Sequence, residues 1–215
     1  LHAVINSNFS EPYDPLDHYL RSLPQWDGKV DYIEQLANRI VLAPSTGLHH
    51  TQEDFRYYFK KWFVAMVVAW VSPKVVNQNI MIFIGKGGIY KTTFFNNILP
   101  PCLKDYYINE STSCYSDKDY MEAFSCKALM NLDEMESAFG KSLSAFKSNV
   151  TKLFFSIRRP YDKYRSELMH RAALCGTSNH TQIITDEENR RYSPWLVESI
   201  VNPNENPLPY QQLYA

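Results

Sequence analysis

This sequence has almost no net charge. Its 22 Lys and Arg against 23 Asp and Glu leave −1 at pH 7. There is no global basic field to draw in nucleic acid, so any such binding has to use a local patch. The four cysteines, Cys102, Cys114, Cys126 and Cys175, contain no C-x-x-C pair, and the six histidines add no metal-ligand spacing. Reduced thiols in a cytoplasmic protein are therefore expected. A membrane span is also missing, since the apolar run at residues 62–71 has only ten residues. No signal peptide is visible and Leu1 is not an initiator methionine, so the chain reads as a piece of a longer polypeptide. What remains is ordinary for a globular protein with a real core: 45% apolar and 21% charged residues.

The most informative stretch is residues 80–99. Ile80-Met81-Ile82-Phe83-Ile84 is a short apolar run stopped by glycine, which predicts a buried strand. Gly85-Lys86-Gly87-Gly88-Ile89-Tyr90-Lys91-Thr92-Thr93 follows. Phe94, Phe95, Ile98 and Leu99 then recur at helical spacing until Pro100-Pro101. Strand, glycine loop, Lys-Thr and helix is the layout of a phosphate-binding loop. In it Lys91 reaches the outer phosphates of a nucleotide, and the Thr92 hydroxyl ligates Mg²⁺, a hard ion that prefers oxygen. Tyr90 stands where the pattern G-x-x-x-x-G-K-[ST] has its second glycine. A tyrosine held there in left-handed geometry costs roughly 1–2 kcal/mol. The alternative is a glycine-rich turn carrying a surface lysine outside the core.

Residues 1–73 read as a helical appendage. Asp14-Pro15 looks like a cap and first turn, Val30 to Val41 a second amphipathic helix, and Thr51 the cap of a third. The third carries Phe55, Phe59, Trp62, Phe63, Met66, Val67 and Trp70 on one face. Residues 74–201 then form the main domain, and the proline- and asparagine-rich tail, 202–215, is expected on the surface or disordered. Lys127-Ala128-Leu129-Met130-Asn131-Leu132-Asp133-Glu134 is a strand ending in two acids. Asp133 suits a metal and Glu134 the attacking water, with Glu136 in reserve. Residues 137–157 read as helical. Arg158, Arg159, Lys163 and Arg165, interleaved with Tyr161 and Tyr164, suit a backbone-tracking, base-stacking surface. A third strand, Ala172-Ala173-Leu174-Cys175-Gly176, leads to Thr177-Ser178-Asn179. An amide at that strand tip, Asn179, can sense a γ-phosphate. Arg190 and Arg191 can hold a phosphate bidentately.

Taken in order, several motifs resemble the virulence-associated protein E family. They are Leu23-Pro24-Gln25-Trp26-Asp27-Gly28, the Trp62 helix, the glycine loop and Leu132-Asp133-Glu134-Met135. Arg159-Pro160-Tyr161, Gly176-Thr177-Ser178-Asn179 and Asn189-Arg190-Arg191-Tyr192 complete the set. The resemblance implies an α/β P-loop NTPase (AAA-like) core with a mostly parallel sheet and flanking helices. It implies ATP hydrolysis with Mg²⁺, akin to superfamily-three helicases, in replication of a phage or mobile element. Single-stranded or forked DNA, a homo-oligomeric ring and a primase domain on the same polypeptide are the implied partners. The expected nucleotide site is Gly85, Gly87, Gly88, Ile89, Tyr90, Lys91, Thr92 and Thr93. Thr92 and Asp133 hold the metal, and Glu134, Asn179, Arg190 and Arg191 act in catalysis, the arginines across a subunit interface. Two alternatives stay open: a non-catalytic binding module with a degenerate loop, and a small-molecule phosphotransferase.

Overall fold

The structure is a computed structural model that describes residues 13–44, 51–111, 117–133, 148–158, 163–180 and 191–215. Asp14 caps α1 (Pro15–Arg21) by accepting from the Leu16 and Asp17 amides, with proline in the first turn as the sequence predicts. Asp31 caps α2 (Tyr32–Ala37). That helix is shorter than its apolar periodicity suggests, because Ile40 and Val41 belong to β1 (Ile40–Leu42). Thr51 and Asp54 form a reciprocal capping box at the start of α3 (Gln52–Val71).

Around these lie β2 (Ile80–Ile84), α4 (Lys91–Asn96), a 3-10 turn (Pro101–Tyr106), β3 (Tyr107–Ser111), α5 (Asp117–Cys126) and β4 (Leu129–Asp133). The chain continues through β5 (Phe154–Ile157), β6 (Ser166–Met169), β7 (Ala173–Ser178), β8 (Tyr192–Ile200) and α6 (Tyr210–Leu213). Six strands form one sheet in the order β1-β8-β2-β7-β4-β3. Every pair is parallel except β1 with β8. The expected α/β class with a mostly parallel sheet is thus present. Strand β5 departs from expectation: Phe154 and the residues after it pair with β6 as an antiparallel hairpin instead of continuing a helix.

Both faces of the sheet are covered, which is why β2 is buried along its whole length. Met81 and Phe83 point into a cluster with Phe55, Phe59, Trp62 and Trp70 of α3 and Phe94 and Phe95 of α4. Ile80, Ile82 and Ile84 point the other way, toward Phe124 of α5 and Phe155 of the hairpin. Each such buried side chain contributes about 1.5–3 kcal/mol by leaving water. Two indoles fix the register of α3. Trp62 Nε1 donates to Leu174 O and Trp70 Nε1 to Ala128 O, each at 3.0 Å. Helix α3 therefore shares one core with the sheet.

The tail does not lie loose. Leu213 and Tyr214 are buried. The Tyr210 and Tyr214 hydroxyls donate to Asn97 O and Ile98 O at 2.8 and 3.0 Å. Carbonyls just past a helix have no partner within the helix, and these two take theirs from the tail. Among the described residues no helix is long and apolar enough to cross a membrane. Among the described residues Cys102 and Cys175 are free thiols.

Candidate functional site

The carboxyl ends of β2, β4 and β7 open onto a polar cavity of about 400 Å³. Ligands of open parallel sheets bind at this edge. Its walls are Gly87, Gly88, Tyr90, Lys91, Thr92, Thr93, Asp133, Thr177, Ser178 and Asn179. A second cavity, about 270 Å³, lies between α2 and α3 with Trp26, Val64 and Val68 in its walls. It is mostly apolar, and its Asp31 and Lys60 are spent on each other as an ion pair. The first holds convergent polar chemistry and is the candidate site.

The loop from β2 to α4 is built by three constraints. Gly85 is needed for packing: a Cβ there would lie 2.4 Å from Val197 O, a backbone atom of β8 that cannot move aside. Gly88 has φ +83°, open to glycine at no steric cost. Tyr90 has φ 69° and ψ 21°, the left-handed region, and makes no capping bond with its side chain. The strained geometry expected at the missing glycine is what the chain adopts. Tyr90→Gly is therefore expected to raise the unfolding free energy by about 1 kcal/mol in urea titrations, strain relief being offset by glycine's unfolded-state entropy. A lower stability would mean that the tyrosine ring's packing outweighs the strain.

Lys91 is not a surface lysine. It is buried, and its Nζ donates to Gly85 O and Lys86 O, both at 2.7 Å, and to Asn179 Oδ1 at 3.1 Å. One cation thus ties the loop to the tip of β7. Thr92 Oγ1 donates to Asp133 Oδ1 at 3.4 Å, and Thr177 Oγ1 donates to the same oxygen. Asn109 Nδ2 donates to Asp133 Oδ2 at 3.4 Å. Hydroxyl and carboxylate oxygens next to a cation suit a phosphate-bearing anion together with a hard metal ion. Among the described residues no three His, Cys, Asp or Glu cluster to cage a metal. Mg²⁺ needs no such cage: one or two protein oxygens and substrate phosphates suffice, and Thr92 and Asp133 fit that role.

Of the residues singled out in the sequence, Gly87, Gly88, Tyr90, Lys91, Thr92, Thr93, Asp133 and Asn179 come together here. Gly85 contributes its carbonyl to Lys91, and Ile89 packs against the α3 core. Glu134, Glu136, Arg159, Tyr161 and Arg190 lie outside the described residues. Arg191 precedes β8, where its carbonyl accepts from the Ile80 amide at the amino end of β2. The five-residue strand β2 separates it from the cavity, a rise of about 16 Å. Arg158, Lys163 and Arg165 are exposed and sit between β5 and β6, off the cavity. Thr177, Ser178 and Asn109 also belong to the site, although the sequence assigns none of them a role there. The signal for the first two was there: they share the strand tip with Asn179.

A family model for the virulence-associated protein E-like domain matches residues 20–215. The chain belongs to that family. No curated protein matches it. Three solved structures of the NrS-1 C-terminal region are similar. One apo structure is 13% identical with TM-score 0.55, covering 90% of this chain and 44% of that one. One A-form apo structure is 14% identical with TM-score 0.53, covering 84% and 40%. Another is 15% identical with TM-score 0.55, covering 90% and 44%. At such identities the likeness is one of fold. The virulence-associated protein E-like domain spans less than half of the region it resembles.

Proposed function

We propose that this domain is a P-loop ATPase that uses Mg²⁺ and works on DNA during replication of a phage or mobile element. One observation carries the reading. Lys91 and Thr92, Asp133 and Asn179, from three places in the chain, line one cavity at the carboxyl edge of the sheet. In the proposed site Lys91 neutralises the outer phosphates, and Asn179 hydrogen-bonds the γ-phosphate. Thr92 and Asp133 would hold Mg²⁺, which when bound offsets phosphate charge. Glu134 polarises the attacking water.

Arg190 and Arg191 serve a neighbouring subunit. The place of Arg191 at the far edge of the sheet favours action across an interface over action on its own cavity. That role requires a homo-oligomer, which we take to be a ring. The hairpin with Arg158, Arg159, Tyr161, Lys163 and Arg165 would track single-stranded or forked DNA. A cytoplasmic setting and a primase domain on the parent polypeptide complete the proposal. Tyr90 favours a second reading, because its ring lines the cavity where glycine is usual: a nucleotide- or DNA-gated module without turnover. Phosphate release measured with and without oligo-dT decides between them. Stimulation by DNA supports the ATPase. Nucleotide binding with no release in either arm supports the module.

A further inference from the structure

A file of side chains runs from Asp133 back into the sheet. Asn109 Nδ2 donates to Asp133 Oδ2 at 3.4 Å. Asn131 Nδ2 donates to Asn109 Oδ1 at 2.6 Å. The Cys175 thiol donates to Asn131 Oδ1 at 3.4 Å and also faces Met130 O at 3.6 Å. Asn109 and Asn131 stand opposite each other in the parallel register of β3 and β4. Asn131 is fully buried, whereas Asn109 is exposed.

The direction of this file is fixed at its end. Asn109 turns its NH₂ toward Asp133, whose Oδ2 is the acceptor. Its carbonyl then faces Asn131, which must offer NH₂ in turn. The Asn131 carbonyl is left for Cys175. Burial pushes that thiol up, keeping its proton available to donate. Reversing the Asn131 amide would set two carbonyl oxygens face to face. An exposed asparagine would otherwise turn freely between water and protein. A buried amide inside an apolar strand costs free energy unless it is paired, and an aliphatic side chain would fill Met130-Asn131-Leu132 as well.

We infer that Asn131 is a positioning residue: it locks the amide of Asn109 so that Asn109 holds the plane of the Asp133 carboxylate. The other carboxylate oxygen, Oδ1, is then presented beside Thr92 and Thr177 on the cavity side. This rests on the ATPase reading for its consequence, the placing of a metal-binding oxygen. The locking itself does not depend on nucleotide.

The test has two parts. Side-chain ¹⁵N–¹H heteronuclear NOEs of the parent, without nucleotide, report whether the Asn109 amide is ordered. They are expected to be high in the parent and to collapse in Asn131→Leu. Next, ATP binding is titrated with Mg²⁺ for the parent, Asn131→Leu, Asn109→Ala and the double variant. The Mg²⁺ needed for half-saturation is expected to rise about ten-fold in each single variant, the low end for an outer-shell partner. The double variant should show no further rise. ATP affinity in EDTA should not change, since Lys91 is untouched. A parent Asn109 amide as mobile as an ordinary surface asparagine overturns the inference, even if Asn131→Leu fails to fold. So does an Asn131→Leu protein with unchanged NOEs, or one whose effect adds fully to that of Asn109→Ala. If the parent binds no ATP, the ATPase reading fails, and the NOE comparison still decides whether Asn131 locks Asn109.

Discussion

Replacing Lys91 is expected to lower ATP affinity by about 10- to 100-fold, the value of a charge-assisted hydrogen bond worth about 1.5–3 kcal/mol. Lys91 is buried, so the choice of substitution matters. Alanine removes the stem as well as the charge and leaves Gly85 O and Lys86 O without their donor. Those carbonyls sit in a loop that water can reach, so the cost is nearer 1 kcal/mol than the full price of a buried orphan. Methionine keeps the stem packed and removes only the ammonium. The expected result is that Lys91→Met and Lys91→Ala lose ATP affinity about equally in calorimetry, while Lys91→Met melts closer to the parent. Parent-like affinity in Lys91→Met would end the phosphate-loop reading. A loss in Lys91→Ala alone would mean that the loop's shape binds ATP and the charge does not.

The loop could be read in the sequence because its determinants are local. An apolar run, a glycine stop, a left-handed Tyr90 and two prolines lie within one short stretch, and each acts through its own backbone. The same holds for Asp133, at the end of an apolar run, and for α3, whose stripe and Thr51 cap repeat in sequence what they do in space. Strand β8 could not be read that way. It contains Pro194, which removes a donor, and Glu198, so its sequence shows no clean apolar run. It is a strand because β2 on one side and β1 on the other pair with it across long sequence separations. Strand β1 fails for the same reason: three apolar residues at an edge fit a helical period as easily as a strand. The tail reads as coil, and two tyrosine hydroxyls that find the carbonyls after α4 bring it into the fold. Thr177 shows the limit at the site. Its residue type is unremarkable, and only the pairing of β4 with β7 brings it onto Asp133.

The hairpin carries the second large effect. Arg158, Lys163 and Arg165 flank two paired strands, Phe154–Ile157 and Ser166–Met169, so these charges are presented on a folded support. Lys163 Nζ lies 5.5 Å from the centre of the Tyr164 ring, and that ring is 73% exposed. A cation beside an open aromatic face offers a phosphate contact and a stacking platform together. Changing Arg158, Arg159, Lys163 and Arg165 to alanine removes up to four phosphate contacts. At about 0.7 per contact on a single strand, the slope of log affinity against log salt should flatten by about 2.8. If the non-electrostatic part of binding is unchanged, that equals about 600-fold weaker binding at 0.1 M salt. Fluorescence anisotropy with labelled oligo-dT over a salt series measures both quantities. Tyr164→Ala separates the two components. It should weaken binding at every salt concentration by the worth of one stacked base, about 1–3 kcal/mol, and leave the slope unchanged. Lys91→Met should move neither, because the cavity and the hairpin share no lining residue among those described. An unchanged slope in the four-fold variant would reduce this segment to a solvated turn. A slope that falls equally in Lys91→Met would place the DNA contact at the cavity instead.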